Sequence, residues 1–290
     1  MITIKVPATS ANMGPGFDSL GIAVNLYLEV DVVCETDKWE IEHSIPYLPK
    51  DERNLIIRTA LRLEPNLKPY RLRMRTDIPT TRGLGSSSSA IVAGIELANY
   101  LGNLKLSKDA KIQLANRFEG HPDNVAPAII GNMVVSGQSN QRVFWSKIKL
   151  HHIDLVACVP ATPLATKKSR GVLPETISLA QAAEGSAMSN VLIAQLSRGY
   201  LKNVRHVIER DVFHEPFRQH LVPELLRIRE ILKLEYTYGT YLSGAGPTVM
   251  TLVPVDKAET IQKKLKQEFP EHDIFHLSID CKGAHIIKHD

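Results

Sequence analysis

Ile78-Pro-Thr-Thr-Arg-Gly-Leu-Gly-Ser-Ser-Ser-Ser-Ala-Ile-Val-Ala-Gly94 decides the fold of this chain, because glycines and serines run straight into a helix-patterned segment. Gly83 and Gly85 are free to take positive φ and let the main chain approach a ligand closely. The serines behind them are N-cap formers with hydroxyls to offer. An anion fits such a helix start, where unpaired N–H groups and the positive end of the helix dipole both favour phosphate oxygens. The plainer reading is a Gly/Ser-rich loop that only caps a buried helix. Two familiar nucleotide patterns are excluded: the chain has no Gly-Lys dipeptide for a P-loop, and Ser88 stands where the dinucleotide fingerprint needs its third glycine.

Working outward, Leu72 to Thr76 reads as a strand leading into the loop. Arg71, Arg73 and Arg75 alternate with Leu72 and Met74, as on the wet face of a one-sided sheet. Ile2 to Val6 predicts a strand ending at Pro7, and Val24 to Val33 alternates apolar and polar side chains with period two. After the loop, Ile91, Gly94, Ile95, Ala98 and Leu101 share one helical stripe, which Gly102 ends. A helix over Lys108 to Phe118 precedes Glu119-Gly-His-Pro-Asp-Asn-Val-Ala-Pro127, where two prolines and a glycine predict a turn. Leu155 to Val159 has the continuous apolar character of a buried strand, and Pro160 to Leu173 is a polar crossover. The lobe boundary is placed there, giving lobes of 1–160 and 161–290. Helical patterns near Ala187 to Ser197, Leu201 to Ile208 and Glu224 to Leu232 are followed by a Gly-rich loop and strand over Tyr241 to Val253. Helices and strands mix in both halves, so the class is α+β.

With 290 residues and 43% hydrophobic content the chain can bury a full core. Net charge is +4, from interspersed basic and acidic residues, which argues against a nucleic-acid face. Cys34, Cys158 and Cys281 lack paired spacing, as in a reducing compartment, and neither a leader pattern nor a membrane-length apolar run is present. These features predict a cytoplasmic protein without membrane contact. No Cys/His spacing suggests structural zinc, no Gly-x-Ser-x-Gly elbow suggests a hydrolase, and His151-His152 reads as a solvated pair.

Two further loops carry chemistry. Pro7 to Gly21 holds Asn12 and Asp18 between glycines. Asp18 there is either a carboxylate that orients a hydroxyl or accepts its proton, or a turn former bonding local N–H groups. Glu119, His121, Asp123 and Asn124 crowd into six residues. They either hold magnesium through oxygen ligands beside a polar substrate, or brace the Pro122 turn.

Together the three loops resemble the motifs of the GHMP kinase superfamily. Pro79-x-x-x-Gly-Leu-Gly-Ser-Ser looks like its ATP-binding motif, Pro7 to Gly21 like the first, and Ser243-Gly-Ala-Gly-Pro-Thr248 like the third. Within the superfamily, Pro-Ala-Thr-Ser-Ala-Asn with Gly-Phe-Asp, His-Pro-Asp-Asn-Val-Ala-Pro, and Glu215-Pro-Phe-Arg-x-x-Leu-Val-Pro223 resemble the homoserine kinase branch. The resemblance implies an N-terminal lobe like domain 2 of ribosomal protein S5, a C-terminal ferredoxin-like lobe, and an active site in the cleft between them. It also implies ATP, Mg2+ and a homodimer.

Carried over, Pro79, Thr80, Thr81, Arg82, Gly83, Leu84, Gly85, Ser86, Ser87, Ser88 and Ser89 would wrap the ATP phosphates. Asn54 would face the adenine, and Ser87 and Glu119 would hold magnesium. Asn12, Asp18, His121 and Asn124 would line the amino-acid pocket, Arg170 and Arg218 would bind the carboxylate of L-homoserine, and Thr166 would face its hydroxyl end. Asp18 and Thr166 are the catalytic candidates. Two features depart from the pattern: four serines stand where the family more often has Ser-Ser-Ala-Ala, and only Gly120 separates Glu119 from His121. Rival readings are another small-metabolite kinase of the superfamily and a non-catalytic nucleotide sensor. The joint presence of Asp18, Ser87, Arg170 and Arg218 disfavours the sensor.

Overall fold

The computed structural model describes residues 1–289. In chain order come β1 (Ile2–Ala11), β2 (Leu20–Glu35), β3 (Glu40–Glu42), α1 (Leu55–Leu63), β4 (Tyr70–Thr76), α2 (Ser86–Leu101), α3 (Lys108–Glu119), α4 (Pro122–Ile130), β5 (Met133–Ser139), β6 (Arg142–Ile148) and β7 (Ile153–Val159). Then follow α5 (Thr166–Arg170), α6 (Leu179–Ser197), α7 (Val204–Ile208), α8 (Glu215–Arg218), α9 (Glu224–Ile231), β8 (Gly239–Leu242), β9 (Val249–Pro254), α10 (Ala258–Glu268), β10 (Asp273–Leu277) and β11 (His285–Lys288).

The first sheet runs β11-β1-β2-β4-β3, with β5 pairing β2 and β6. One face is apolar: Ile4, Val6, Ile22, Val30 and Leu72 are buried against Ile91, Val92, Ile95 and Ala98 of α2 and Val125 and Ile129 of α4. On the other face the β4 arginines meet acids, Arg71 with Glu40 at 3.3 Å, Arg73 with Glu42 at 3.4 Å, and Arg75 with Asp31. The Arg71 and Arg73 pairs are solvated and contribute little each.

The second sheet runs β10-β7-β9-β8, all antiparallel. With α5–α9 between β7 and β8, and α10 between β9 and β10, its topology is the βαββαβ pattern of ferredoxin-like domains. A second core of Val156, Val222, Leu225, Ile228, Ile261 and Leu265 lies between that sheet and helices α9 and α10. β7 belongs to this sheet although it precedes residue 160, and β11 returns to pair with β1.

Two expectations are corrected. β1 does not end at Pro7: it continues to Ala11 through a register shift between Pro7 and Ala8. A bulge is where a residue without an N–H is tolerated in a strand. The first motif loop therefore shrinks to residues 12–19. Nor is 119–127 a turn, because Pro122 opens α4 and Pro127 lies within it. Proline is pre-set for a first helical turn, but at position 127 it removes the N–H that would bond the Asp123 carbonyl. That carbonyl turns towards β2, where a Cβ on Gly21 would come within 1.7 Å of it. Glycine at 21 thus lets β2 press against the turn that carries Asp123 and Asn124.

Candidate active site

A cleft of about 340 Å³ opens between the lobes and gathers residues from all three motif loops. Gly83 and Gly85 have φ of +76° and +68°, and a Cβ at Gly85 would lie 2.1 Å from Thr9 Oγ1. Only glycine permits that approach. Gly85, not a serine, is the N-cap of α2, and it makes no side-chain cap bond. The first helical bond is from the Ser89 N–H to the Gly85 carbonyl, so the Ser86, Ser87 and Ser88 N–H groups have no partner among the described residues. A 16-residue helix therefore points three free donors into the cleft.

The loop is braced from behind. Leu84 O accepts the Thr9 N–H at 3.2 Å, Arg82 O accepts the Thr248 N–H at 3.2 Å, and the Ser243 hydroxyl donates to Gly83 O at 2.6 Å. Thr9 also donates to Asn124 Oδ1 at 2.9 Å, which sets Asn124 beneath Gly85. Arg82 donates to Pro160 O at 2.9 Å and to Ala161 O, tying the loop to the second lobe.

The remaining expected residues divide clearly. Thr80, Thr81, Ser86, Ser87 and Ser88 line the cleft, whereas Pro79, Leu84 and Ser89 do not. Ser89 is fully buried and donates to Pro7 O and Gly85 O. Ser88, itself buried, donates to Glu119 Oε1 at 2.8 Å, so the hydroxyl that meets Glu119 is its own rather than that of the exposed Ser87. Asn54 lines the apolar end with Leu28, Met74 and Ile78, but its side chain caps α1 through the Ile56 N–H and donates to Pro49 O.

The other end of the cleft is charged. Asn12 and Asp18 both have positive φ, 73° and 52°, which Asn and Asp tolerate better than most residues. Asn12 Oδ1 accepts the Asp18 N–H at 3.1 Å while its amide donates to Gly244 O at 3.0 Å, closing the loop against the third motif. The Asp18 carboxylate takes both ends of the Arg170 guanidinium, at 2.7 and 3.4 Å. Two residues expected at opposite ends of a substrate are thus bonded to each other.

Arg218 is 1% exposed and has no carboxylate partner; it donates to Ser169 O, Gly244 O and His214 Nδ1, leaving Nη2 without a partner among the described residues. Burial first, and then the nearby Arg170 charge, push its pKa down to about 10, so it remains a cation at neutral pH. The Phe17 ring is near both guanidinium groups, its centroid 5.8 Å from that of Arg170 and 5.6 Å from that of Arg218.

His121 bonds Asp123 Oδ1 through Nδ1 at 2.6 Å. Burial opposes its charging, but the Asp123 carboxylate outweighs that and raises the imidazole pKa above its ordinary value. Thr166, exposed at the start of α5, also lines the cleft. Phe17 joins the site without having been singled out for a role, the buried Asp123 lines it through its bond to His121, and Ser10, which bonds Tyr241 and Ser243, supports it.

Relatives place this geometry. The GHMP kinases N terminal domain model matches residues 54–132, and the GHMP kinases C terminal model residues 192–271. The homoserine kinase of Streptococcus gordonii is 51% identical over 284 residues, 98% of this chain and 99% of its own. The chain belongs to the homoserine kinase family of GHMP kinases. The Listeria monocytogenes serotype 4b member is 47% identical over 98% of this chain. Among solved structures, the homoserine kinase of Cytophaga hutchinsonii superposes over 99% of this chain and 97% of its own with a TM-score of 0.86 and 25% identity. The two-lobed α+β fold is that of the family, and members are kinases, hence users of ATP.

Proposed function

We propose that the chain is an ATP-dependent kinase that phosphorylates the hydroxyl of L-homoserine to O-phospho-L-homoserine. The observation that carries this reading is one cleft joining an uncapped helix start to Asp18, Arg170 and Arg218, in a chain about half identical to homoserine kinases over nearly its whole length. The triphosphate lies on the free N–H groups of Ser86 to Ser88, with the base towards Leu28, Met74 and Ile78. The amino acid's carboxylate pairs with Arg170 and Arg218, and its ammonium faces the acidic and amide groups of Asp18, Asp123 and Asn124. When the substrate carboxylate takes Arg170, Asp18 is freed to hold the hydroxyl in line with the γ-phosphorus. The hydroxyl oxygen bonds to phosphorus as the bridge to the β-phosphate breaks; its proton passes to the Asp18 carboxylate and ADP leaves. Because the transition state is loose, positioning and charge neutralisation contribute more than base strength.

A magnesium ion fits the donor set at Glu119, whose carboxylate stands beside a serine hydroxyl at the phosphate-binding helix start, all hard oxygen ligands. Bound there, it would neutralise phosphate charge. Glu119→Gln is expected to raise the magnesium concentration needed for half-maximal rate by about tenfold, with Ser88→Ala moving it further than Ser87→Ala; an unaltered magnesium titration in all three would point to other ligands. No helix among the described residues is long and apolar enough to cross a membrane, and all three cysteines are free thiols. Those features support a cytoplasmic enzyme, and a homodimer follows the family.

A coupled ADP-release assay with homoserine, serine, mevalonate and galactose tests the substrate. A clear preference for homoserine is expected, and none would overturn the reading.

A further inference from the structure

His214 is fully buried next to the site, yet no motif accounts for it. Its Nε2 lies 3.2 Å from the Gly14 carbonyl, which only accepts, so Nε2 carries the proton. Its Nδ1 lies 3.2 Å from Arg218 Nη1, which only donates, so Nδ1 offers its lone pair. The two contacts fix one neutral tautomer. Asp211 Oδ2 accepts the His214 and Glu215 N–H groups and lies 3.5 Å from Nε2, holding the histidine's backbone at the start of α8. The ring stacks on Phe17 at 5.4 Å and 24°, and Gly14 and Phe17 both belong to the loop that carries Asn12 and Asp18.

We propose that His214 is a positioning residue for substrate recognition: its neutral imidazole clamps the Asp18 loop through Gly14 and, from the opposite edge, aims the Arg218 guanidinium at the substrate carboxylate. The inference rests on the reading of Arg218 as a carboxylate binder. Arg218 has no acidic partner to fix its fork, and its other bonds go to backbone carbonyls. Among the described residues the imidazole is the one side chain that bonds it. A histidine that merely filled the core would need no lone pair directed at an arginine.

Two substitutions separate the edges of the ring. His214→Asn keeps an oxygen acceptor near Nδ1 and gives up the Gly14 bond; His214→Gln keeps a donor near Nε2 and gives up the acceptor for Arg218. The Gln variant is expected to raise the KM for homoserine about tenfold with kcat within about twofold; the Asn variant, which frees the Asp18 loop from Gly14, is expected to lower kcat about fivefold with the homoserine KM moved less than about threefold, and the KM for ATP stays within about twofold in both. Equal homoserine KM values in the two variants, or an ATP KM that moves as far, would overturn the proposal. Arg218→Met is the control. If it leaves the homoserine KM unchanged, the carboxylate reading itself fails, and this inference with it; if it raises that KM while His214→Gln does not, only this inference fails. Should both His214 variants misfold, 15N imidazole spectra of the wild-type protein at neutral pH provide the test. The neutral Nε2-protonated tautomer is expected for His214, and an Nδ1-protonated ring or an imidazolium would overturn the proposal.

Discussion

Asp18→Asn is expected to lower kcat by about 10²- to 10⁴-fold, the range for a group that acts on a reacting proton, while the KM for ATP moves less than about twofold. Asparagine is isosteric and tolerates the φ of 52° at this position, and the N–H that Asn12 accepts is backbone, so the loop keeps its shape. The phosphate cradle is braced by Thr9, Thr248 and Ser243, none of which touches Asp18, so nucleotide binding has no reason to change. What is lost is charge. The carboxylate answers Arg170 through both oxygens, and an amide answers with one oxygen and presents a donor where the hydroxyl must donate. Steady-state kinetics with a circular-dichroism check of folding measure this. A kcat equal to wild type would remove Asp18 from the chemistry.

The phosphate loop was legible because its signal is local: only glycine permits the backbone at 83 and 85, and serines mark the helix start within four residues. Even so, propensity places the cap on a serine, whereas Gly85 takes the cap position and no side chain caps the donors. Prolines at 122 and 127 carried an ambiguous signal. Each breaks a helix from inside, but a proline at the first helical position begins one, and only the packing of Gly21 on the Asp123 carbonyl shows which rule prevails. The pairing of β11 with β1 joins residues about 280 positions apart, and nothing in His-Ile-Ile-Lys announces its partner. The site has the same limit. Arg170 and Arg218 were found by motif, but their environments differ for non-local reasons: one is half-exposed and neutralised by Asp18, the other buried without an acid. His214 meets Gly14 across 200 residues, and by itself reads as any core histidine.

Arg218→Met should separate stability from recognition more sharply than any other single change. The charge-assisted bond that the free Nη2 offers a carboxylate, at about 1.5 to 3 kcal/mol, predicts a homoserine KM raised roughly 10- to 100-fold. Opposing terms govern stability. Removing the side chain leaves Ser169 O and His214 Nδ1 without their donor, which is costly for buried acceptors, while Gly244 O keeps the Asn12 amide. Yet it also removes a guanidinium that burial and Arg170 already disfavour, as its lowered pKa records, and fills the space with an apolar side chain. These terms largely offset, so Tm should shift by no more than roughly 2 °C, about 1 kcal/mol in a chain of this size. Arg218→Lys should not restore affinity, because an ammonium cannot reproduce the fork that holds two carbonyls and an imidazole at once. Kinetics and a thermal melt on the same preparations decide the matter. A large loss of Tm with an unchanged homoserine KM would make Arg218 a strut of the fold; the opposite pattern means the protein tolerates a buried cation with no acidic partner because the substrate supplies one.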